Sequence, residues 1–113
     1  MSGKQPRRGD VYWVDFNPAR GSEQAGRRPA LIVSADPLNT AGPVVVVAAI
    51  TRTVPKRSYP QTVVLPAGLP VEGTVLCSQL MTVAKDRLLD RKCHLSADVM
   101  AQVDDGLRAS LAL

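Results

Sequence analysis

The chain has 113 residues, of which 45% are hydrophobic and 21% charged, with a net charge of +4; that is the composition of one folded domain and excludes a disordered chain or two full domains. The longest apolar run, Val44 to Ile50, is far shorter than the ~20 residues that cross a bilayer, and the opening MSGKQPRR lacks the apolar stretch of a secretory leader. The expectation is therefore a cytoplasmic protein with no membrane attachment and an anionic partner.

Residues 1–7 are expected to form a flexible N-terminal arm, followed by a single domain over residues 8–113. All nine prolines lie at or before Pro70 and cut that part of the chain into short apolar segments, as in a turn-rich β fold. The first strand is placed in GDVYWVDFNPA, where Val11, Trp13 and Phe16 form a β-branched and aromatic run ending at an Asn-Pro turn signal. Ala30 to Ala35 is the second strand. Val44 to Thr51 is the third, and its nearly unbroken apolar character marks a central strand covered on both faces. QTVVLP (61–66) and GTVLCSQL (73–80) supply two more. AKDRLLDRKCHL fits either a last strand or a helical turn, and its charges favour an edge. Ser96 caps a helix with Asp98 in its first turn and Val99, Met100, Val103, Leu107 and Leu111 along one face. Gly106 inside that helix costs about 1 kcal/mol relative to alanine, so something is expected to pack closely on its backbone. The elements add up to a mainly β fold, a small, strongly bent antiparallel sheet or barrel closed by a C-terminal helix.

Charge is concentrated rather than spread. Arg20, Arg27 and Arg28 stand against Glu23 alone in the first long loop, and Arg52, Lys56 and Arg57 have no acid beside them in the loop after the third strand. If the second and third strands are antiparallel neighbours joined through DPLNTAG, the start of one and the end of the other share a sheet edge, and Arg28 faces Thr51. A guanidinium fork, a hydroxyl and glycine-rich backbone together suit a phosphate. Each residue also has a plainer reading: a solvated arginine face, glycines for turn geometry, a threonine for strand propensity, a surface ion pair for Glu23.

His94 is the only histidine, which excludes a two-histidine ribonuclease and a metal centre built on several imidazoles. No GxSxG, P-loop, GxGxxG or HExxH occurs. Cys77 and Cys93 form no CxxC or paired metal spacing, so they read as small buried hydrophobes rather than a disulfide. Asp10 and Asp15 flank the first strand without reason to share a metal ion, and no cofactor is called for. RNA remains a chemically undemanding substrate: its own 2′-hydroxyl attacks the adjacent phosphate, and a protein need only align the backbone, neutralise the transition state and assist proton transfer. Arginine is a poor base near neutrality, so the proton's route stays open.

RRGDVYWVDFNPARGSEQAGRRPALIVSA closely resembles the opening of the MazF/PemK/Kid toxins of bacterial toxin–antitoxin pairs, with GD(V/I)(W/Y)xVDF, then PxxGSEQxGxRP, then a hydrophobic strand. The resemblance continues through VVVAAIT, YPQTVVLP and GTVLCSQLMTVAKDRL into the C-terminal helix. It implies an SH3-like barrel of CcdB/MazF type, a homodimer, and a metal-independent, sequence-specific endoribonuclease that cuts single-stranded RNA to leave 2′,3′-cyclic phosphate and 5′-hydroxyl ends. On this resemblance Arg28 and Thr51 match the catalytic pair. Ser22, Glu23 and Gln24 match the loop that covers the RNA, and Gln79 matches the family's glutamine; Arg20, Arg27, Arg52, Lys56 and Arg57 complete the expected RNA-binding set. Ser78 stands where relatives commonly carry an acid and Met81 where many carry a base. The implied inhibitor is a cognate antitoxin whose acidic, initially disordered tail folds over the basic groove. The competing readings are a gyrase poison resembling the CcdB toxins and a non-catalytic RNA-binding barrel. The first relies on a C-terminal tryptophan, whereas this chain ends RASLAL and its one tryptophan is Trp13; the second calls for more aromatic residues than this chain has.

Overall fold

In the computed structural model residues 5–16 and 26–113 are described. Six strands, β1 (Asp10–Asp15), β2 (Arg27–Ile32), β3 (Val44–Thr51), β4 (Thr62–Val64), β5 (Thr74–Ala84) and β6 (Leu88–His94), form one antiparallel sheet in the order β4-β5-β3-β2-β1-β6. Helices α1 (Asp36–Ala41) and α2 (Ala97–Leu111) complete it. The sheet is the bent antiparallel one expected, and it stays open, with β4 and β6 as its two edges.

β3 sits between β5 and β2, and its alternation divides the core. Ala48 and Ile50 point into a cluster with Val11, Leu31, Val75 and Cys77 beneath Val99, Val103 and Leu107 of α2. Val45 and Val47 point the other way, into a cluster with Tyr12, Val14, Ala30, Ile32 and Leu88. The buried members of that second cluster all come from strands, with Phe16 and Val83 packed against them, as in a sheet whose strands curl toward one another. Irregular registers supply the curl, at Ala48/Ala49 between β3 and β5 and on both sides of Tyr12 between β1 and β6.

Several boundaries differ from expectation for identifiable reasons. β2 begins at Arg27 rather than Ala30 because β1 pairs with it as far as Asp15↔Arg27. Its hydrogen-bonded register with β3 starts only at Ala30, so the missing N–H of Pro29 disturbs no ladder there. β2 stops at Ile32 because the chain turns away: Val33 and Ser34 both donate their N–H to the Val46 carbonyl. DPLNTAG is a short helix, α1, rather than a plain turn. Pro37 stands in its first turn, and fully buried Asn39 donates to the Ser34 carbonyl at 2.8 Å while accepting from the Ser34 hydroxyl. The ambiguous segment holds both alternatives, a 3-10 turn over Lys85–Arg87 and then the edge strand β6.

α2 begins as expected, with the Ser96 hydroxyl accepting from the Val99 N–H at 3.2 Å. Its apolar face ends early: Leu107 is buried but Leu111 is 51% exposed. At Gly106 an added Cβ would stand 2.7 Å from the Cys77 sulfur and 3.4 Å from the Pro60 carbonyl oxygen, which is the close approach the glycine announced. Both cysteines are free thiols, and burial pushes the Cys77 thiol up. Of the N-terminal arm, residues 1–4 lie outside the described residues, and Arg7 donates its N–H to Asp10 at 2.9 Å; Arg8, at the start of the domain, donates from its side chain to the Val33 carbonyl and pairs with Asp104 of α2 at 2.8 Å. Among the described residues no helix is long and apolar enough to cross a membrane.

Candidate active site

The antiparallel register of β2 and β3 is Ala30↔Ala49 and Leu31↔Ala48. Continued by two residues, it sets Arg28 opposite Thr51. Alternation puts the two on one face, since Arg28 follows the parity of Ala30 and Ile32, and Thr51 that of Val45 and Val47. Arg28 is exposed and Thr51 half-buried, so they form a rim where buried strands emerge. Arg28, Pro29, Ile50 and Thr51 line two shallow depressions, one of about 360 Å³ continuing over Trp13, Arg27 and Arg52, the other of about 420 Å³ continuing over Phe16, Gln79 and Met81.

Two features of β5 shape this rim. The register with β3 jumps from Ala49↔Leu76 to Ala48↔Leu80, so Cys77, Ser78 and Gln79 are accommodated as extra residues, and Gln79 reaches the second depression at that irregularity. At the start of β5, Thr74 pairs with Thr51, and Gly73 just before it has φ +127°. A Cβ on Gly73 would overlap the Thr51 carbonyl oxygen and stand 3.0 Å from the Arg52 Cα, so only glycine lets this segment back the end of β3. Sequence reading missed Gly73, because a glycine before a strand looks like an ordinary turn residue.

The Thr51 hydroxyl oxygen accepts from the Thr53 N–H at 3.3 Å. That bond uses a lone pair and leaves the hydroxyl proton to donate elsewhere. With Arg27, Arg28 and Arg52 around it, the rim offers a planar guanidinium fork, a hydroxyl donor and a field that draws anions. Not every expected residue converges here. Lys56 and Arg57 line a separate depression of about 320 Å³ between the loop after β3, the β4 edge and Gln102 of α2. Neither of them lines the depressions that Arg28 and Thr51 share. Arg20, Ser22, Glu23 and Gln24 lie outside the described residues.

The lone histidine is engaged elsewhere. His94 Nδ1 lies 2.7 Å from Oδ1 of Asp10, a carboxylate with no exposed surface that also accepts from the Arg7 N–H at 2.9 Å. Arg7 and Arg91 stand 3.7 and 3.9 Å from the same carboxylate. His94 pairs with Asp10 at one end of β1, whereas Arg28 pairs with Val14; four residues of strand separate the two by about 13 Å, too far for a proton to pass directly. Among the described residues no three His, Cys, Asp or Glu side chains gather as a metal centre requires.

Comparison with known proteins agrees with this architecture. Residues 7–111 match the family model described as PemK-like, MazF-like toxin of type II toxin–antitoxin system. The chain is 41% identical over 110 residues to Endoribonuclease EndoA of Bacillus subtilis (strain 168), covering 95% of each. It is similar in structure to an endoribonuclease from Mycobacterial species, with a TM-score of 0.83, 27% identity, and coverage of 100% of this chain and 97% of that one. It is likewise similar to an endoribonuclease in complex with its cognate antitoxin from Mycobacterial species, with a TM-score of 0.81, 29% identity and 96% of each chain covered.

Proposed function

The chain belongs to the PemK-like, MazF-like toxins of type II toxin–antitoxin systems and is an endoribonuclease of that family, and from this premise we propose that it cuts single-stranded RNA at short sequences without a metal ion, using Arg28 and Thr51. The observation that carries the reading is that Arg28 and Thr51 line the same two depressions, with Arg27 and Arg52 beside them in one.

In the proposed reaction the 2′-oxygen of one nucleotide bonds to the adjacent phosphorus while the bond from phosphorus to the 5′-oxygen breaks. The 2′-proton leaves to a base and the 5′-oxygen takes up a proton, giving a 2′,3′-cyclic phosphate and a 5′-hydroxyl. The phosphorane carries one more negative charge than the substrate. The Arg28 fork meets that charge with two parallel N–H donors and the Thr51 hydroxyl with a third, in fixed positions, so the gain is largest in the transition state. Gln79 and Arg52 hold the flanking nucleotides on either side, and Arg20, Ser22, Glu23, Gln24, Lys56 and Arg57 extend the RNA path. The working unit is a homodimer of one toxin domain over residues 8–113, cytoplasmic, and inhibited by a cognate antitoxin whose acidic tail competes for the same arginines; a relative solved with its antitoxin supports such a partner.

The test is incubation of the purified protein with mixed RNA in EDTA, followed by mapping of the cut ends. Cyclic phosphate and 5′-hydroxyl termini are expected, with cleavage lost in Arg28→Ala and Thr51→Ala while the fold is retained. Full activity in both variants would refute the assignment, and intact RNA bound in a salt-sensitive way would favour a non-catalytic binder.

A further inference from the structure

The depression holding Arg28 and Thr51 does not end at the rim. Trp13, Pro29 and Arg52 line it and also line a larger neighbour of about 520 Å³ that runs on to Pro70, Val71 and Glu72. That volume falls in the range of small-ligand sites. Trp13 and Pro29 are direct register partners on β1 and β2, so indole and pyrrolidine lie side by side on one face of the sheet and give the depression an apolar floor. They share the face of Val11 and Leu31 but lie beyond the residues covered by α2. Arg52 follows Thr51 directly and borders the same floor. At the far end stands Glu72, exposed, the one acid against the one arginine, Arg52, among the described residues that line it.

A carboxylate is out of place in a pocket for phosphate. It suits a nucleobase, whose flat face stacks on tryptophan and whose exocyclic amino group donates to a carboxylate. Resting on the nuclease reading above for its polynucleotide ligand, we propose that Trp13, Pro29 and Arg52 form a base-stacking subsite beside the reacting phosphate, and that Glu72 selects there for a base bearing an exocyclic amine. Cytosine offers its N4 amine to the Glu72 carboxylate. Uracil presents a carbonyl oxygen at the same position, and two acceptors repel. The chain's positive charge brings the RNA in; this single acid discriminates among its bases.

Trp13 is the only tryptophan, so emission excited beyond tyrosine absorption comes from the floor that the two depressions share. The probes are fully 2′-O-methylated hexamers of cytidine and of uridine, which have no 2′-hydroxyl to attack and stay intact. Binding is followed by anisotropy of a labelled copy and, separately, by Trp13 emission of the unlabelled one. Trp13 emission is expected to change on binding the cytidine hexamer, saturating at the same concentration as the anisotropy. Cytidine should be preferred over uridine by about tenfold, and Glu72→Gln, whose amide both donates and accepts, should reduce that preference to within about twofold.

Binding by anisotropy with Trp13 emission unchanged would overturn the proposal, as would a preference unaffected by Glu72→Gln or equal affinity for the two hexamers. A change in emission with an acidic peptide but with neither hexamer would assign the pocket to a protein partner and overturn it too. Cleavage of unmodified RNA is scored separately. Its absence beside an intact emission change and preference would refute the nuclease reading and leave the subsite standing.

Discussion

Gly106 is the position where packing and helix propensity pull hardest against each other. Replacing it by alanine in the interior of α2 gains about 1 kcal/mol of helix propensity. The new methyl carbon would stand 2.7 Å from Sγ and 3.2 Å from Cβ of Cys77, against a comfortable separation of about 3.5–4.0 Å. Cys77 has no exposed surface and is fixed within β5, so α2 must lift by roughly 1 Å or the sulfur must leave its rotamer, and overpacking of this kind costs about 1–3 kcal/mol. The net expectation is a loss of about 1 kcal/mol, read as a lower urea midpoint by circular dichroism with an unchanged slope. The decisive comparison is the same change in a Cys77→Ala background. There the methyl fills the space left by the sulfur, and Gly106→Ala should turn stabilising by up to about 1 kcal/mol, a non-additivity expected only of residues in contact. Gly106→Ala destabilising equally in both backgrounds, or stabilising the unaltered protein, would refute the account of why this helix carries a glycine.

At Gly73 the φ of +127° and the overlap of any Cβ with the Thr51 carbonyl mean that Gly73→Ala must displace the end of β3; RNA cleavage is expected to fall more than tenfold, measured under single-turnover conditions, and a rate within twofold would remove Gly73 from the site's support. Asp36 accepts the Arg8 N–H at 2.7 Å, and this bond, followed by that from Asn39, holds its carboxyl below the ordinary value of 3.8. The unfolded chain therefore binds the proton first, so the stabilisation is complete above about pH 4 and fades as pH falls through the lower folded value. Asp36→Asn should flatten the acid limb of a stability-versus-pH curve there and leave its slope near neutrality unchanged; an unaltered acid limb would contradict the assignment.

What the sequence disclosed follows from how local each cause is. β3 was legible because seven consecutive apolar residues have only one comfortable place, between two other strands, and the start of α2 because Ser96 caps its own next turn. That Arg28 and Thr51 come to line the same depressions was legible through topology, since antiparallel pairing of β2 and β3 brings the start of one strand to the end of the other. α1 was hidden because DPLNTAG is written in turn residues, and its helix depends on bonds between Asn39 and Ser34 that form only when Val46 closes the neighbourhood. Leu111 fits the helical period but overhangs the sheet. The separation of Lys56 and Arg57 from the rim, and the crowding of Gly73 against Thr51, depend on how distant segments meet, and no spacing in the sequence records that. Trp13 read as strand filling, and only its shared floor with Pro29 and Arg52 gives it a further meaning.

The central claim is that one guanidinium and one hydroxyl grip the same phosphate, and a double-mutant cycle tests it most directly. Single-turnover cleavage of one RNA would be measured for the unaltered protein, Arg28→Ala, Thr51→Ala and the double variant. If both groups stabilise one transition state, the second substitution adds little to the first, as for residues that act as a unit. Losses that multiply in full would mean that Arg28 and Thr51 act independently, and would contradict the account.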